Sequence, residues 1–166
     1  MSKVFGLTER YKPLVTTQTQ TIVSYDRQTV DDKNSTWQEI VFYHKREGKP
    51  DLARIKSAIF ADINRQTDER ILSGFVWEGK PVWLSQENEF NFKAAYDIAV
   101  QTDGANLPLK FKLGEDADGV PIYHTFRSLN VLQDFYTQAI AYIQQCLTDG
   151  WNKKDGFDWT PYVIPE

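Results

Sequence analysis

Cysteine and long apolar runs are scarce in this sequence. Cys146 is the only cysteine among 166 residues, so an intrachain disulfide is impossible and a disulfide-stabilised secreted scaffold is excluded. No segment approaches the roughly 20 consecutive apolar residues of a membrane-spanning helix. The first residues also lack a charged head followed by an apolar run. We therefore expect synthesis in a cytoplasm and no membrane partner.

Positive charge is also limited. The chain has 19 Lys and Arg against 23 Asp and Glu, which gives a net charge of −4 and an isoelectric point near 5.2. Proteins that bind nucleic acid rely on a basic surface to neutralise phosphates. The pair Lys153-Lys154 is isolated, so we expect no nucleic-acid partner.

Residue patterns typical of catalysis or metal binding are missing. His44, His124 and Cys146 lack the spacing of a zinc site, which needs four ligands. Aligned on a calcium-binding loop, Gly114–Gly119 puts glycine at the first ligand position and Thr125 where a bidentate Glu is required. No nucleophile elbow, phosphate-binding loop or His-Glu-x-x-His helix occurs. The sequence therefore predicts no enzyme, no cofactor and no metal site.

Aromatic residues are abundant at 14% of the chain, with ten Phe, eight Tyr and five Trp. Such side chains dominate both protein cores and protein interfaces, and we expect most of them in the core. Trp77 and Trp83 flank one predicted turn, where they form a possible aromatic surface for a sugar. Cross-strand tryptophan pairs are, however, more often structural.

The hydrophobic pattern predicts an α+β fold, in which a mostly antiparallel sheet of hairpins packs with about three helices. Caps and turn residues suggest the boundaries of these elements. The predicted elements are a strand at Trp37–His44, a helix at Asp51–Gln66, a hairpin within Thr67–Ser85 turning at Glu78–Lys80, a helix from Gln86 to Asp103-Gly104, a hairpin of Leu107–Leu113 and Val120–Phe126, and a helix from Ser128 to Asp149-Gly150.

The N-terminal segment differs in composition from the rest. We predict that residues 1–35 form an arm or edge strand and that residues 36–166 form a single α+β domain. The run Thr16–Tyr25 is β-prone, yet it is too polar for a central strand. It would gain most by pairing with another sheet. The residues predicted to bind a partner are Thr17, Thr19, Thr21, Val23 and Tyr25.

The C-terminal segment Trp151–Trp159 is irregular in pattern but rich in aromatic residues. Two Trp and one Phe left in solvent would form an apolar patch that soluble monomers avoid. We therefore expect this segment to fold back and cover an edge of the core.

Several motifs lie between Ile63 and Trp159, about three fifths of the chain, and resemble those of a known group of proteins. They are Ile63–Asp68, Ile71–Phe75, Gly79–Ser85, Asn91–Tyr96, Tyr123–Phe126 and Gly150–Asp155. This part of the chain resembles a domain of unknown function encoded near the tail-fibre genes of tailed phages and prophages of gut, Bacteroides-type bacteria. The motifs are turns, caps and aromatic anchors, and the resemblance implies no catalytic residues.

The resemblance implies a virion structural or adaptor protein of the tail or tail-fibre region, made in the host bacterial cytoplasm. Its partners would be other virion or tail-fibre proteins, or further copies of itself. Two alternatives remain open at this point. One is a tail-fibre assembly chaperone, and the other is a small carbohydrate-binding module at the fibre.

Overall fold

The computed structural model describes residues 1–163 and confirms the predicted α+β class. Three long helices and one short helix accompany antiparallel strands. None of the helices in this range is long and apolar enough to cross a bilayer. The elements are β1 Ser2–Leu7, β2 Leu14–Thr16, β3 Gln20–Thr29, β4 Asn34–Tyr43, α1 His44–Glu47, α2 Leu52–Gly74, β5 Phe75–Trp77, β6 Lys80–Val82, α3 Gln86–Gln101, β7 Leu109–Glu115, β8 Pro121–Phe126 and α4 Leu129–Asp155.

Backbone contacts divide the chain into two compact units. Among the described residues, the first unit contains Met1–Asn64 and residues 154–163, and the second contains Arg65–Lys153. The predicted boundary at residue 35 is corrected, because it falls inside a sheet. Strand β4 begins at Asn34 and pairs with β1 and β3 on its two sides. Residues on either side of position 35 therefore belong to one hydrogen-bonded structure.

The first unit is built on a four-stranded antiparallel sheet with the order β1-β4-β3-β2. The prediction that Thr16–Tyr25 is too polar for a central strand was wrong, since β3 lies between β4 and β2. Its buried polar groups have partners, which removes the usual penalty of burying them. The Thr21 hydroxyl lies 2.9 Å from His44 Nε2, and the Tyr25 hydroxyl donates to Asp62.

Helix α2 covers one face of this sheet. Asp51 caps it as predicted, because its carboxylate accepts the Arg54 N–H at 2.8 Å. Buried side chains of the sheet and of the first half of α2 then form a single core, which is completed by the C-terminal segment. The members of this core are Val23, Tyr25, Ile40, Phe42, Ile55, Ile59, Ile63 and Tyr162, with Phe157 and Trp159 packed against them.

The C-terminal aromatic residues follow the prediction only in part. Phe157 and Trp159 pack in the first unit, and Trp159 meets Phe60 edge to face at 5.5 Å. Tyr162 is buried and donates its hydroxyl to the Ser24 carbonyl at 2.8 Å. Trp151, by contrast, lies in the last turns of α4 and is 52% exposed.

The predicted hairpin within Thr67–Ser85 is shorter than expected. Residues 67–74 continue α2, and only β5 and β6 pair, with Gly79 at positive φ in the turn. Contacts distant in sequence stabilise this extension. Ile71 packs against the core of the second unit, and the Tyr142 hydroxyl donates to the Arg70 carbonyl at 2.8 Å.

The second unit packs α3, α4 and two hairpins around an aromatic core. Trp77, Phe126 and Phe135 are almost fully buried and contact one another with ring centroids between 5.1 and 5.6 Å. The predicted hairpin of β7 and β8 and the Ser85 cap of α3 are confirmed, since Ser85 Oγ accepts the Asn88 N–H at 3.2 Å. Aromatic side chains therefore supply a large part of the apolar surface buried in this unit.

Gly150 does not end α4 as predicted, because the helix continues to Asp155. Gly150 is buried, and a Cβ at this position would lie 2.6 Å from Thr67 Oγ1. The glycine therefore allows α2 and α4 to approach closely, and this tertiary contact explains why a residue that commonly terminates helices occurs inside one.

Replacing Gly150 with alanine should destabilise the protein, although alanine usually favours a helix interior by about 1 kcal/mol. The clash with Thr67 outweighs that gain, so we expect a net loss of about 1–2 kcal/mol in the free energy of unfolding. In a Thr67→Ala background the same Gly150→Ala change should become neutral or stabilising. Urea unfolding of the parent, the two single variants and the double variant measures both effects. A loss of the same size in both backgrounds would contradict the packing explanation.

Trp159 and Trp151 form a matched pair for testing the C-terminal segment. Trp159→Ala removes a ring packed in the first unit and should lower the free energy of unfolding by about 2–3 kcal/mol. Trp151→Ala changes an exposed ring and should stay within about 0.5 kcal/mol of the parent. Denaturant titrations with fluorescence and circular dichroism compare the two variants. A change in the free energy of unfolding as small for Trp159→Ala as for Trp151→Ala would contradict the packing of Trp159 in the core.

Candidate binding surfaces

The predicted partner-binding residues do not form one surface. Thr21 and Val23 are fully buried in the first unit, and Tyr25 is 2% exposed, so their side chains are not accessible to a partner. Thr17 and Thr19 lie in the exposed turn between β2 and β3, where the Thr17 hydroxyl donates to the Gln20 carbonyl at 3.1 Å. The structure places the predicted binding strand at the centre of the sheet instead of at its edge, and burial there excludes contact of these side chains with another chain.

Strand β1 instead provides the accessible edge. Its residues pair with β4 from Ser2↔Glu39 to Leu7↔Asn34, and the Thr8 N–H continues this ladder to the Lys33 carbonyl at 2.8 Å. In an antiparallel pair the backbone groups of successive residues point alternately toward and away from the partner strand. The N–H and C=O groups of Lys3, Phe5 and Leu7 therefore point away from β4.

The two edges of this sheet are protected to different degrees. Strand β2 is only three residues long and directly follows Lys12-Pro13, and short edges with Lys and Pro resist pairing with other chains. Strand β1 is six residues long, contains no proline and exposes 64% of Phe5. Within the described residues, no further strand pairs with β1. The edge of β1 can therefore accept an extended segment of another chain.

The aromatic surface predicted from Trp77 and Trp83 is not present as a pair. Trp77 is 1% exposed and donates its ring N–H to Asp134 at 3.0 Å, so it belongs to the core. Trp83 is 37% exposed, and the Lys112 ammonium lies 5.3 Å from its ring centroid. A sugar platform of two exposed tryptophans is therefore not formed.

One ionisable cluster of the second unit surrounds His124. The Lys80 ammonium lies 3.4 Å from His124 Nδ1 and 3.3 Å from a Glu78 carboxylate oxygen. The imidazole meets Trp77 edge to face at 4.9 Å and lies 4.6 Å from the ring of Phe126. Because an ammonium can only donate, Nδ1 accepts this hydrogen bond and the imidazole is neutral.

Burial lowers the pKa of His124, and the nearby Lys80 charge lowers it further, with a smaller opposing contribution from Glu78. A lowered pKa keeps the ring neutral and able to accept from Lys80 at neutral pH. The Lys80 ammonium has no lone pair with which to attack a substrate, so the geometry of this cluster fits an anchor between β6 and β8.

The other candidate ligands are engaged in local structure. His44 begins α1 rather than ending a strand, and its Nδ1 lies 3.2 Å from the Gln18 carbonyl. Asp116 accepts the Asp118 and Val120 N–H groups at 2.9 Å, which closes the acidic hairpin loop. Cys146 is buried. Over residues 1–163, no group of three or more His, Cys, Asp or Glu side chains is arranged to hold a metal ion.

The lowered pKa of His124 predicts a pH dependence of stability. The folded protein binds this proton less readily than the unfolded chain does. The stabilising effect is therefore complete above the unfolded pKa of about 6.5 and is lost as the pH falls toward the folded value. We expect the melting temperature to fall more steeply between pH 7.5 and 5.5 in the parent than in a His124→Gln variant. Lys80→Gln should give an intermediate slope, and identical slopes in all three proteins would contradict the assignment.

Comparison with known proteins adds no relatives, since no protein-family model, curated protein or solved structure matches this chain significantly.

Proposed function

We propose that this chain is a structural or adaptor protein of a tailed-phage virion, in the tail or tail-fibre region, and that it acts by binding other protein chains. The observation that carries the binding role is the open edge of β1. It offers three residues with outward backbone groups on a six-residue strand without proline. The phage setting comes from the sequence resemblance over Ile63–Trp159.

In this proposal the partner is an extended segment of another virion protein, or β1 of a second copy. Main-chain hydrogen bonds would supply affinity, and the exposed Phe5 ring would supply an apolar contact beside them. Such pairing needs no cofactor or catalytic residue. It also keeps the attachment near the N-terminus, as predicted, but moves it from Thr16–Tyr25 to Ser2–Leu7.

The two alternative functions differ from this proposal in one respect each. The chaperone leaves the particle, and the carbohydrate-binding module binds a sugar instead of a protein. An assembly chaperone would use the same edge during fibre maturation and then dissociate. A carbohydrate-binding module would have to rely on Trp83, because Trp77 is buried. We therefore place protein binding ahead of sugar binding.

A proline at position 5 tests the edge directly. The Phe5 N–H points away from β4, so Phe5→Pro removes an outward donor without breaking the ladder inside the sheet. Phe5→Thr is the matched control, because it removes the ring but keeps the N–H and a high β-propensity. Both variants should melt close to the parent.

Quantitative mass spectrometry of purified phage particles provides the measurement. The parent and Phe5→Thr chains are expected in particles at a fixed ratio to the tail proteins, whereas Phe5→Pro should be depleted at least about tenfold, since edge pairing depends on those backbone groups. Normal incorporation of Phe5→Pro would contradict attachment through β1. A parent chain that is abundant in lysates but absent from particles would favour the chaperone.

A further inference from the structure

A groove in the second unit is lined by three helices. It has a volume of about 660 Å³ and is bounded by the end of α2, the start of α3 and the middle of α4. Its apolar lining comes from Ile71, Leu72, Leu84, Ile143 and Leu147. Leu72 is 45% exposed although it lies beside other apolar side chains. The groove is thus an apolar surface that remains open to solvent.

The floor of the groove extends along α4. A small neighbouring pocket shares Leu84, Glu89 and Ile143 with it and adds Ile140. Ile140 is 40% exposed. An elongated apolar strip of this kind matches the way an amphipathic helix or short segment binds, with anchors spaced along one face.

The rim of the groove carries only negative charge. Asp68, Glu87 and Glu89 line it, and no Lys, Arg or His does so among the residues that the structure describes. The described ion pairs of the second unit use other carboxylates, those of Glu69, Glu78, Asp97, Glu115 and Asp149. The rim charges are therefore not compensated by ion pairs within the described chain.

The carboxyl group of Glu89 shows how the lack of a nearby cation affects a rim residue. Partial burial raises the pKa of its carboxyl, and no neighbouring cation lowers it again. A Lys or Arg placed at the rim would stabilise the ionised carboxylate and would itself be attracted by the other two acids. An anionic or neutral occupant would leave these charges unbalanced.

We propose that this groove binds an amphipathic segment of a partner protein. Its apolar side chains would lie on the strip formed by α2, Leu84 and α4, and its Lys or Arg side chains would lie against Asp68, Glu87 and Glu89. The site lies wholly within the second unit and uses side chains. It is therefore independent of backbone pairing at β1 and of the phage setting. It would give the chain a second binding surface, as a protein that joins two partners requires.

The test uses synthetic peptides of about 18 residues, five helical turns, with Leu along one face and Lys on its flanks. One matched peptide has Glu in place of every Lys, and another keeps the Lys residues but has Ser in place of every Leu. Binding to the full-length chain is followed by fluorescence anisotropy at two salt concentrations. We expect binding of the first peptide alone, weakened by salt. Failure of that peptide to bind, or equal binding of its Glu counterpart, would overturn the proposal.

Variants of the groove locate the binding. Glu87→Gln with Glu89→Gln should weaken the cationic peptide roughly tenfold, because two rim charges are lost. Asp103→Asn with Asp118→Asn changes the net charge equally outside the groove and should leave the affinity within about twofold. Equal weakening by both double variants would mean a general charge effect and would overturn the site.

Leu72→Gln tests the apolar part of the groove. The Leu72 side chain is half exposed, so the variant should still fold. The peptide should bind at least about threefold more weakly, because an apolar contact is lost. Melting temperatures confirm that each variant is folded. Sedimentation of the chain without peptide tests whether a second copy of the chain occupies the groove. Self-association that Leu72→Gln abolishes, without peptide binding, would replace the proposed partner by another copy of this chain.

Discussion

The hydrogen bond between Tyr25 and Asp62 is the constraint on which the first unit depends. Asp62 is fully buried, and a carboxylate removed from water is costly unless its oxygens are hydrogen-bonded. Tyr25 lies on central strand β3 and Asp62 lies on α2, so the bond joins the sheet to the helix that covers it. Thr21 and the Ser24 carbonyl are satisfied in the same way, by His44 and Tyr162. A strand rich in polar residues can therefore occupy the centre of the sheet.

Aromatic packing has the corresponding role in the second unit. Trp77, Phe126 and Phe135 occupy the space between the hairpins and α4, and the His124–Lys80 contact borders the same cluster. Most of the aromatic excess of the chain is used in the cores of the two units. Its use there explains why the tryptophans that suggested a sugar platform do not form one.

Two open surfaces carry the proposed binding to other proteins. The edge of β1 offers backbone groups to an extended segment, and the acidic groove of the second unit offers apolar and charged side chains to an amphipathic one. The two modes of binding differ in specificity. Backbone pairing at a sheet edge tolerates many partner sequences, whereas an apolar groove with charged sides binds only sequences with matching apolar and charged side chains. Together they would allow one small chain to hold two different partners.

Local physics in the sequence determined the elements that depend on neighbouring residues. The caps at Asp51 and Ser85, the turn at Gly79 and the alternation of β7 and β8 were all predictable, because each depends on residues only a few positions apart. The α+β class follows from the order of these elements.

Only the tertiary structure decided the features that depend on partners far away in the chain. The continuation of α2 to Gly74, the place of β3 inside its sheet and the burial of Trp77 all rest on such contacts. Gly150 illustrates the reason. A glycine near a predicted helix end usually terminates the helix, but here Thr67 lies against its Cα, so close packing decides its role. Both open surfaces were hidden for the same reason, because an edge and a groove exist only after the elements have packed.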